Sequence, residues 1–148
     1  MKFSIIGVGK IGIYHAREFI KNGYTLTSIV CSTESRGKKH VIDLKEKYDV
    51  LINYYTNIYD LFNFEQIDLI VISSSTITHY EYLKICIECG IKYIFCEKPF
   101  IYNNYNLNTN RSIDLLKQCK NKNINLCVNT QWIYGIEQIK NYIPTNLK

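Results

Sequence analysis

The residues best placed to do chemistry stand near the start of the chain. Gly7-Val8-Gly9-Lys10-Ile11-Gly12 is a G-x-G-x-x-G that follows the apolar run Phe3–Ile6 and opens a helical stretch. In that position each glycine has a use. Gly7 permits a tight turn, Gly9 lets a backbone approach a pyrophosphate, and Gly12 lets the helix pack close to the strand. With Val8, Lys10 and Ile11 completing the loop, the helix N-terminus offers free N–H groups and a partial positive charge to phosphate. A tight turn without a ligand has the same spelling. The case for nucleotide binding therefore comes from the elements around it.

A dinucleotide site of this kind places an acid about 20 residues further on, where it bonds the ribose 2′-hydroxyl. Here the second apolar run ends Val30-Cys31-Ser32-Thr33-Glu34-Ser35-Arg36, with Lys38 and Lys39 beyond. Cys31 stands where the acid would be. A phosphorylated ribose wants donors and positive charge, and a carboxylate would repel it. Ser32, Thr33 and Arg36 are thus the expected contacts, and the expected cofactor is NADP in preference to NAD. The alternative is a solvated loop with Glu34 as a displaced but usable acid.

Those residues need a scaffold, and the pattern supplies one. Short apolar runs at 3–7, 26–31, 50–53, 68–73, 92–96 and 124–129 read as strands. Helical segments at 10–22, 34–48, 58–64, 78–89 and 108–122 alternate with them. Asp68-Leu-Ile-Val-Ile-Ser73 is apolar on both faces, as in a strand covered on both sides. Strand and helix in strict alternation predict an α/β, doubly wound parallel sheet of about six strands, a Rossmann fold over residues 1–130. Residues 131–148 then begin a connection, with a helix expected over 132–142. Its Trp132, Ile133, Ile136 and Ile139 lie at helical spacing and want a partner surface.

Composition narrows the function. With 148 residues, 47% hydrophobic and 21% charged, the chain can bury a core, which argues against an unfolded one. No apolar run approaches the roughly 20 residues a bilayer crossing needs. The net charge of +5 is scattered, without the dense basic stripe of a nucleic-acid binder. The N-terminus is too soon interrupted to be a signal peptide, so a cytoplasmic protein with six reduced thiols is expected. Cys86-x-x-Cys89 falls at the end of a helix, whereas a redox pair sits at a helix start, and no second pair completes a zinc site. These cysteines read as small apolar filler.

Three motifs together resemble the Gfo/Idh/MocA oxidoreductases, relatives of glucose–fructose oxidoreductase and inositol dehydrogenase. The glycine loop extends to His15-Ala16, similar to that family's G-x-G-x-x-G-x-x-H-A. Asp68-Leu-Ile-Val-Ile-Ser-Ser-Ser-Thr-Ile-Thr-His79 is similar to its D-x-V-x-I-x-T-P-x-x-x-H. Cys96-Glu97-Lys98-Pro99 resembles its E-K-P signature. The resemblance implies an NAD(P)-dependent oxidoreductase domain that moves a hydride between a nicotinamide and a hydroxyl or carbonyl of a sugar-like substrate. Lys98 then inherits the catalytic position, where an ammonium stabilises a developing alkoxide or polarises a carbonyl oxygen. Ser74, Thr76, His79, Glu97, Lys98 and Asn129 become cofactor contacts, with Gln131 a further candidate. The peptide bond before Pro99 is a candidate for cis. For His79, packing at a helix start is the competing reading. His15 is expected to pack within the first helix, and His40 has no evident partner.

The departures from that family are informative. Cys31 replaces the acid, and Ser75 replaces the usual proline. The family's second α/β domain, which carries substrate contacts and most of the dimer interface, is expected to be missing or truncated here. A stand-alone nucleotide-binding module, or an inactive fragment, is the alternative to an enzyme. No metal, membrane or nucleic-acid partner is expected. S-adenosylmethionine binding fits poorly, because that chemistry also wants the missing acid and has no use for Glu97-Lys98-Pro99.

Overall fold

The computed structural model describes residues 1–101 and 109–130. In them, β1 (Lys2–Ile6), β2 (Thr25–Val30), β3 (Asn53–Tyr55), β4 (Leu69–Ile72), β5 (Tyr93–Cys96) and β6 (Asn125–Val128) form one sheet. The order is β3-β2-β1-β4-β5-β6, and every neighbouring pair is parallel. Helices α1 (Lys10–Lys21), α2 (Glu34–Tyr48), α3 (Ile58–Phe64), α4 (His79–Glu88) and α5 (Thr109–Asn121) connect the strands. The expected doubly wound sheet is therefore present, with its order reversing between β1 and β4. The expected helix over 132–142 and its apolar residues lie outside the described residues.

Each strand divides its side chains between two cores, as the two-residue period of a strand requires. Phe3 and Ile5 of β1, with Val71 of β4, pack with Leu44 of α2 on one face. Ile6, Ile70 and Ile72 pack with Leu83, Ile87 and Leu115 of α4 and α5 on the other. β4 is buried at all four positions because it lies mid-sheet between both layers. Truncating Ile70 or Ile72 to alanine costs about 2–5 kcal/mol by the lost contacts and the cavity left behind.

Two expected elements shift. β3 begins at Asn53 instead of Val50, because its register is set by pairing Ser28, Ile29 and Val30 with Asn53, Tyr54 and Tyr55. Leu51 consequently stands out in solvent. The helix expected from Thr78 is preceded by a single tight turn, Thr76–Thr78, with α4 proper beginning at His79. The filler reading of the cysteines holds for Cys86, which is fully buried, while Cys89 is exposed. Burial pushes both thiols up, which leaves them protonated and suits neither redox exchange nor metal ligation. Among the described residues, no helix is long and apolar enough to cross a membrane.

Candidate functional site

The ladder of the sheet continues one residue beyond its strands and aligns a row of backbone groups at the C-terminal edge. Cys31 N–H donates to the Tyr55 carbonyl at 2.9 Å and Gly7 N–H to Val30 at 3.0 Å. Ser73 N–H donates to Ile6 at 2.9 Å, Glu97 N–H to Ile72 at 2.9 Å, and Asn129 N–H to Cys96 at 2.8 Å. Cys31, Gly7, Ser73, Glu97 and Asn129 thus leave the sheet side by side. In open α/β sheets this edge, at the point where strand order reverses, is where ligands bind.

The three glycines differ in what surrounds them. Gly7 has φ +89°, and a Cβ there would lie 2.5 Å from the Ser74 backbone. A Cβ on Gly12 would run into the Gly7 carbonyl and, at 2.9 Å, the Ser73 hydroxyl. Both glycines are therefore packed against the ends of β1 and β4. Ser73 reinforces the contact by donating its hydroxyl to the Gly7 carbonyl at 2.7 Å. Gly9 is the exception: a Cβ there would meet nothing within 4 Å among the described residues. It caps α1 with extended backbone and no side-chain cap, and no acid stands in the first turn. The first N–H groups of α1 remain free for a ligand. Lys10 and Ile11 occupy that first turn and are exposed, while Val8 is buried beneath the loop.

A cleft of about 330 Å³ opens beside Gly9, walled by Cys31, Ser32 and Arg36 on one side and by Ser73, Ser74 and Thr78 on the other. Among the described residues, no carboxylate lines it. Arg36 donates from Nη1 to the Ser32 hydroxyl at 3.4 Å. Thr33 does not line the cleft: its hydroxyl caps α2 by accepting from Arg36 N–H at 3.4 Å. Glu34 is turned to Lys38, 3.4 Å away, in an exposed pair. Open space at Gly9, an uncapped helix start and a wall of hydroxyls and one guanidinium form a cradle that fits the pyrophosphate and ribose of a dinucleotide. Among the described residues, no group of three or more His, Cys, Asp or Glu is arranged for a metal ion.

A second cluster lies where β5 and β6 end. Glu97 is buried and accepts three hydrogen bonds. His15 Nε2 and Asn129 Nδ2 each donate to Oε1 at 2.6 Å, and Lys98 N–H donates to Oε2 at 3.1 Å. Burial pushes this carboxyl up, but the bonds from Asn129, His15 and Lys98 outweigh it and hold the group below the usual carboxylate range. Thus His15 does not merely pack within α1; it joins α1 to the Glu97 turn. The Lys98–Pro99 peptide is cis, and the Lys98 side chain stands exposed beyond the network.

His79, 1% exposed, links the two turns bordering this region. Its Nδ1 lies 3.0 Å from the Pro99 carbonyl oxygen and its Nε2 3.2 Å from that of Ser74. Both partners are acceptors, so a neutral ring serves one at a time and an imidazolium serves both. Ser74 and Thr78 hydroxyls bond each other at 2.8 Å, and Thr76 is half-buried in the intervening turn. Residues that sequence patterns did not single out are Ser73, Tyr82 and His40, all of which line the cleft. For Ser73 a signal existed, a hydroxyl closing the most buried strand. For Tyr82 and His40 none did, because their positions come from how α4 and α2 lie on the sheet. Gln131 lies outside the described residues.

Comparison with known proteins is consistent with this arrangement. The model of an oxidoreductase family with an NAD-binding Rossmann fold, Gfo/Idh/MocA, matches residues 1–130. A myo-inositol 2-dehydrogenase of Thermotoga maritima is 32% identical over 104 residues, which is 70% of this chain and 29% of that protein. Among solved structures, a myo-inositol 2-dehydrogenase from Lactobacillus plantarum superposes with a TM-score of 0.73 at 24% identity, over 95% of this chain and 41% of its own. A biliverdin reductase from Synechocystis, solved with biliverdin and NADP+, gives 0.75 at 19% identity, over 95% and 42%. Both superpositions concern the fold. The chain spans under a third of the curated relative and about two-fifths of these solved ones.

Proposed function

This chain is a member of the Gfo/Idh/MocA oxidoreductases, and from that premise we propose that its NAD-binding Rossmann domain serves a dehydrogenase acting on a hydroxyl or carbonyl of a sugar-like substrate. A bound nicotinamide supplies the hydride chemistry. What these residues contribute is position and charge. Gly7, Val8, Gly9, Lys10, Ile11 and Gly12 form the loop against which the pyrophosphate lies, with the α1 N–H groups as donors. Ser32 and Arg36 meet the ribose, and Thr33 keeps Arg36 in place by capping α2. Ser74 and Thr76 flank the nicotinamide half, while His79 holds their turn to that of Pro99.

Glu97 and Asn129 orient the turn from which Lys98 projects. The Lys98 ammonium donates a hydrogen bond to the reacting substrate oxygen and stabilises charge that develops there. The choice of NADP over NAD is supported by Cys31 at the end of β2 and by a cleft in which no described lining residue is a carboxylate. A polyol or sugar-like substrate is suggested by the inositol dehydrogenases among the relatives.

The observation that carries the proposal is the open space at Gly9 beside an uncapped helix start, at the edge where the sheet order reverses. Calorimetric titration with NADPH and NADH tests it. Saturable binding with NADPH the tighter ligand supports the reading, and a folded chain that binds neither refutes it.

A further inference from the structure

β4 and β5 run side by side through four residue pairs, and Glu97 N–H extends the ladder by one bond, to the Ile72 carbonyl at 2.9 Å. Past that bond the two chains part. Ser73 donates its hydroxyl to the Gly7 carbonyl and Ser74 lines the cleft, while Lys98 stands exposed. Among the described residues, the one side chain that bonds both turns is that of His79, through the Ser74 and Pro99 carbonyls. His79 is 1% exposed and stands outside the lining of the cleft, so it touches no ligand there itself. We propose that His79 is a positioning residue: it fixes the span between the Ser74 and Lys98 turns, and through that span the grip on the nicotinamide ring. The inference deepens the reading of the site given above, on which it rests.

Packing alone gives no reason for a histidine here. A buried imidazole costs desolvation unless its nitrogens are bonded, and an apolar side chain fills a helix start without that cost. Both ring nitrogens face carbonyl oxygens, and each such bond needs a proton on nitrogen. The Cys96 thiol, 3.7 Å from Nδ1, directs its own hydrogen to the Glu97 carbonyl at 3.4 Å and does not take the place of Pro99. The two anchor points are themselves fixed from behind. The Ser74 backbone lies so close to Gly7 that a Cβ on that glycine would be 2.5 Å away. Lys98 N–H is held by Glu97 Oε2 at 3.1 Å. His79 therefore joins two turns that are each already tied down, and releasing it changes the distance between them.

NADPH and 2′-phospho-ADP-ribose differ by the nicotinamide ring alone, as do NADH and ADP-ribose. The test measures dissociation constants for all of these with wild type, H79L, H79N and H79Q, with thermal midpoints taken on the same samples. Asparagine carries its amide near the Nδ1 position and glutamine near Nε2. H79N thus keeps a donor for Pro99, and H79Q keeps one for Ser74. H79L is expected to weaken the tighter-bound of the two reduced dinucleotides about tenfold and to leave its ring-less counterpart within about twofold. H79N and H79Q are each expected to fall between H79L and wild type, a partial rescue that bulk packing does not give. They decide the matter by themselves where H79L does not fold. Equal weakening of ring-bearing and ring-less ligands, or of neither, overturns the role of His79. Wild type that binds both members of each pair equally overturns it too, because the ring is then not gripped. Folded wild type that binds none of these ligands refutes the dinucleotide site itself.

Discussion

His15 on α1 and Glu97 at the end of β5 are 82 positions apart in sequence and meet at 2.6 Å in the interior of the fold. The contact ties the helix that follows the glycine loop to the turn that carries Lys98. Glu97 is ionised and accepts from three donors. Its carboxyl is held below its unfolded value of 4.5. A depressed carboxyl stabilises the fold fully above its unfolded pKa and loses that contribution as pH falls through the folded one. The thermal midpoint of wild type is therefore expected to fall relative to E97Q as pH drops below about 4.5. A difference that stays constant from pH 6 to 3 contradicts the assignment. At neutral pH, H15A removes one donor from a buried carboxylate and is expected to cost about 2 kcal/mol.

The glycine loop makes a contrast that separates packing from binding. Gly7→Ala places a side chain at φ +89° against the Ser74 backbone, and Gly12→Ala drives a methyl into Gly7 and Ser73. Each is expected to destabilise the domain by about 2–4 kcal/mol, through strain and overpacking. At about 2–4 °C per kcal/mol for a chain of this size, scanning calorimetry resolves such losses easily. Midpoints within a degree of wild type contradict the packing described.

How much of this was legible in the sequence depended on the range of the contact. The parallel sheet of six strands and the place of the glycine loop follow from local periodicity and punctuation: Gly23 and Gly90 stop α1 and α4 at positive φ. β3 was misplaced by three residues, because Val50-Leu51-Ile52 is the more apolar stretch while the register against β2 selects Asn53–Tyr55. The link between His15 and Glu97 left no local trace. A histidine about one helical turn beyond Gly12, on the same buried face, looks like ordinary packing until β5 is laid beside α1. His40 was opaque for the same reason. Glu97-Lys98-Pro99 stood out as a motif, yet nothing in its spelling announced that Glu97 accepts from three directions.

The proposed preference for NADP over NAD rests on the end of β2, where two substitutions are expected to shift it the same way, away from NADPH. Arg36→Gln is expected to weaken NADPH about tenfold and to leave NADH nearly unchanged, because only NADPH carries the phosphate that the guanidinium is proposed to meet. Cys31→Asp supplies the acid that bonds an unmodified ribose and repels a phosphorylated one. It is expected to reverse the preference. Parallel titrations with both dinucleotides check this, and equal effects on the two contradict the reading.

The cysteines sort by burial. Cys31, Cys86, Cys96 and Cys119 are buried, with Cys96 pushed up to about 12 by its surroundings, whereas Cys89 and Cys127 are exposed. Alkylation of the native chain near pH 8 is expected to modify Cys127 first, Cys89 more slowly because burial pushes its thiol up, and to spare the other four until the fold is opened. Peptide mass spectrometry reads the order. Early labelling of Cys86 contradicts its place in the core.

Gly9 separates cofactor binding from folding more directly than any other position. Its backbone is extended, and a Cβ there touches nothing among the described residues, so Gly9→Val costs the fold little. The same side chain fills the space assigned to the pyrophosphate. The measurement is a calorimetric titration of wild type and G9V with NADPH, paired with their thermal midpoints. Wild type is expected to bind NADPH saturably, G9V to lose at least about a hundredfold in affinity, and the two midpoints to agree within about 2 °C. Undiminished NADPH affinity in G9V contradicts the placement of the pyrophosphate.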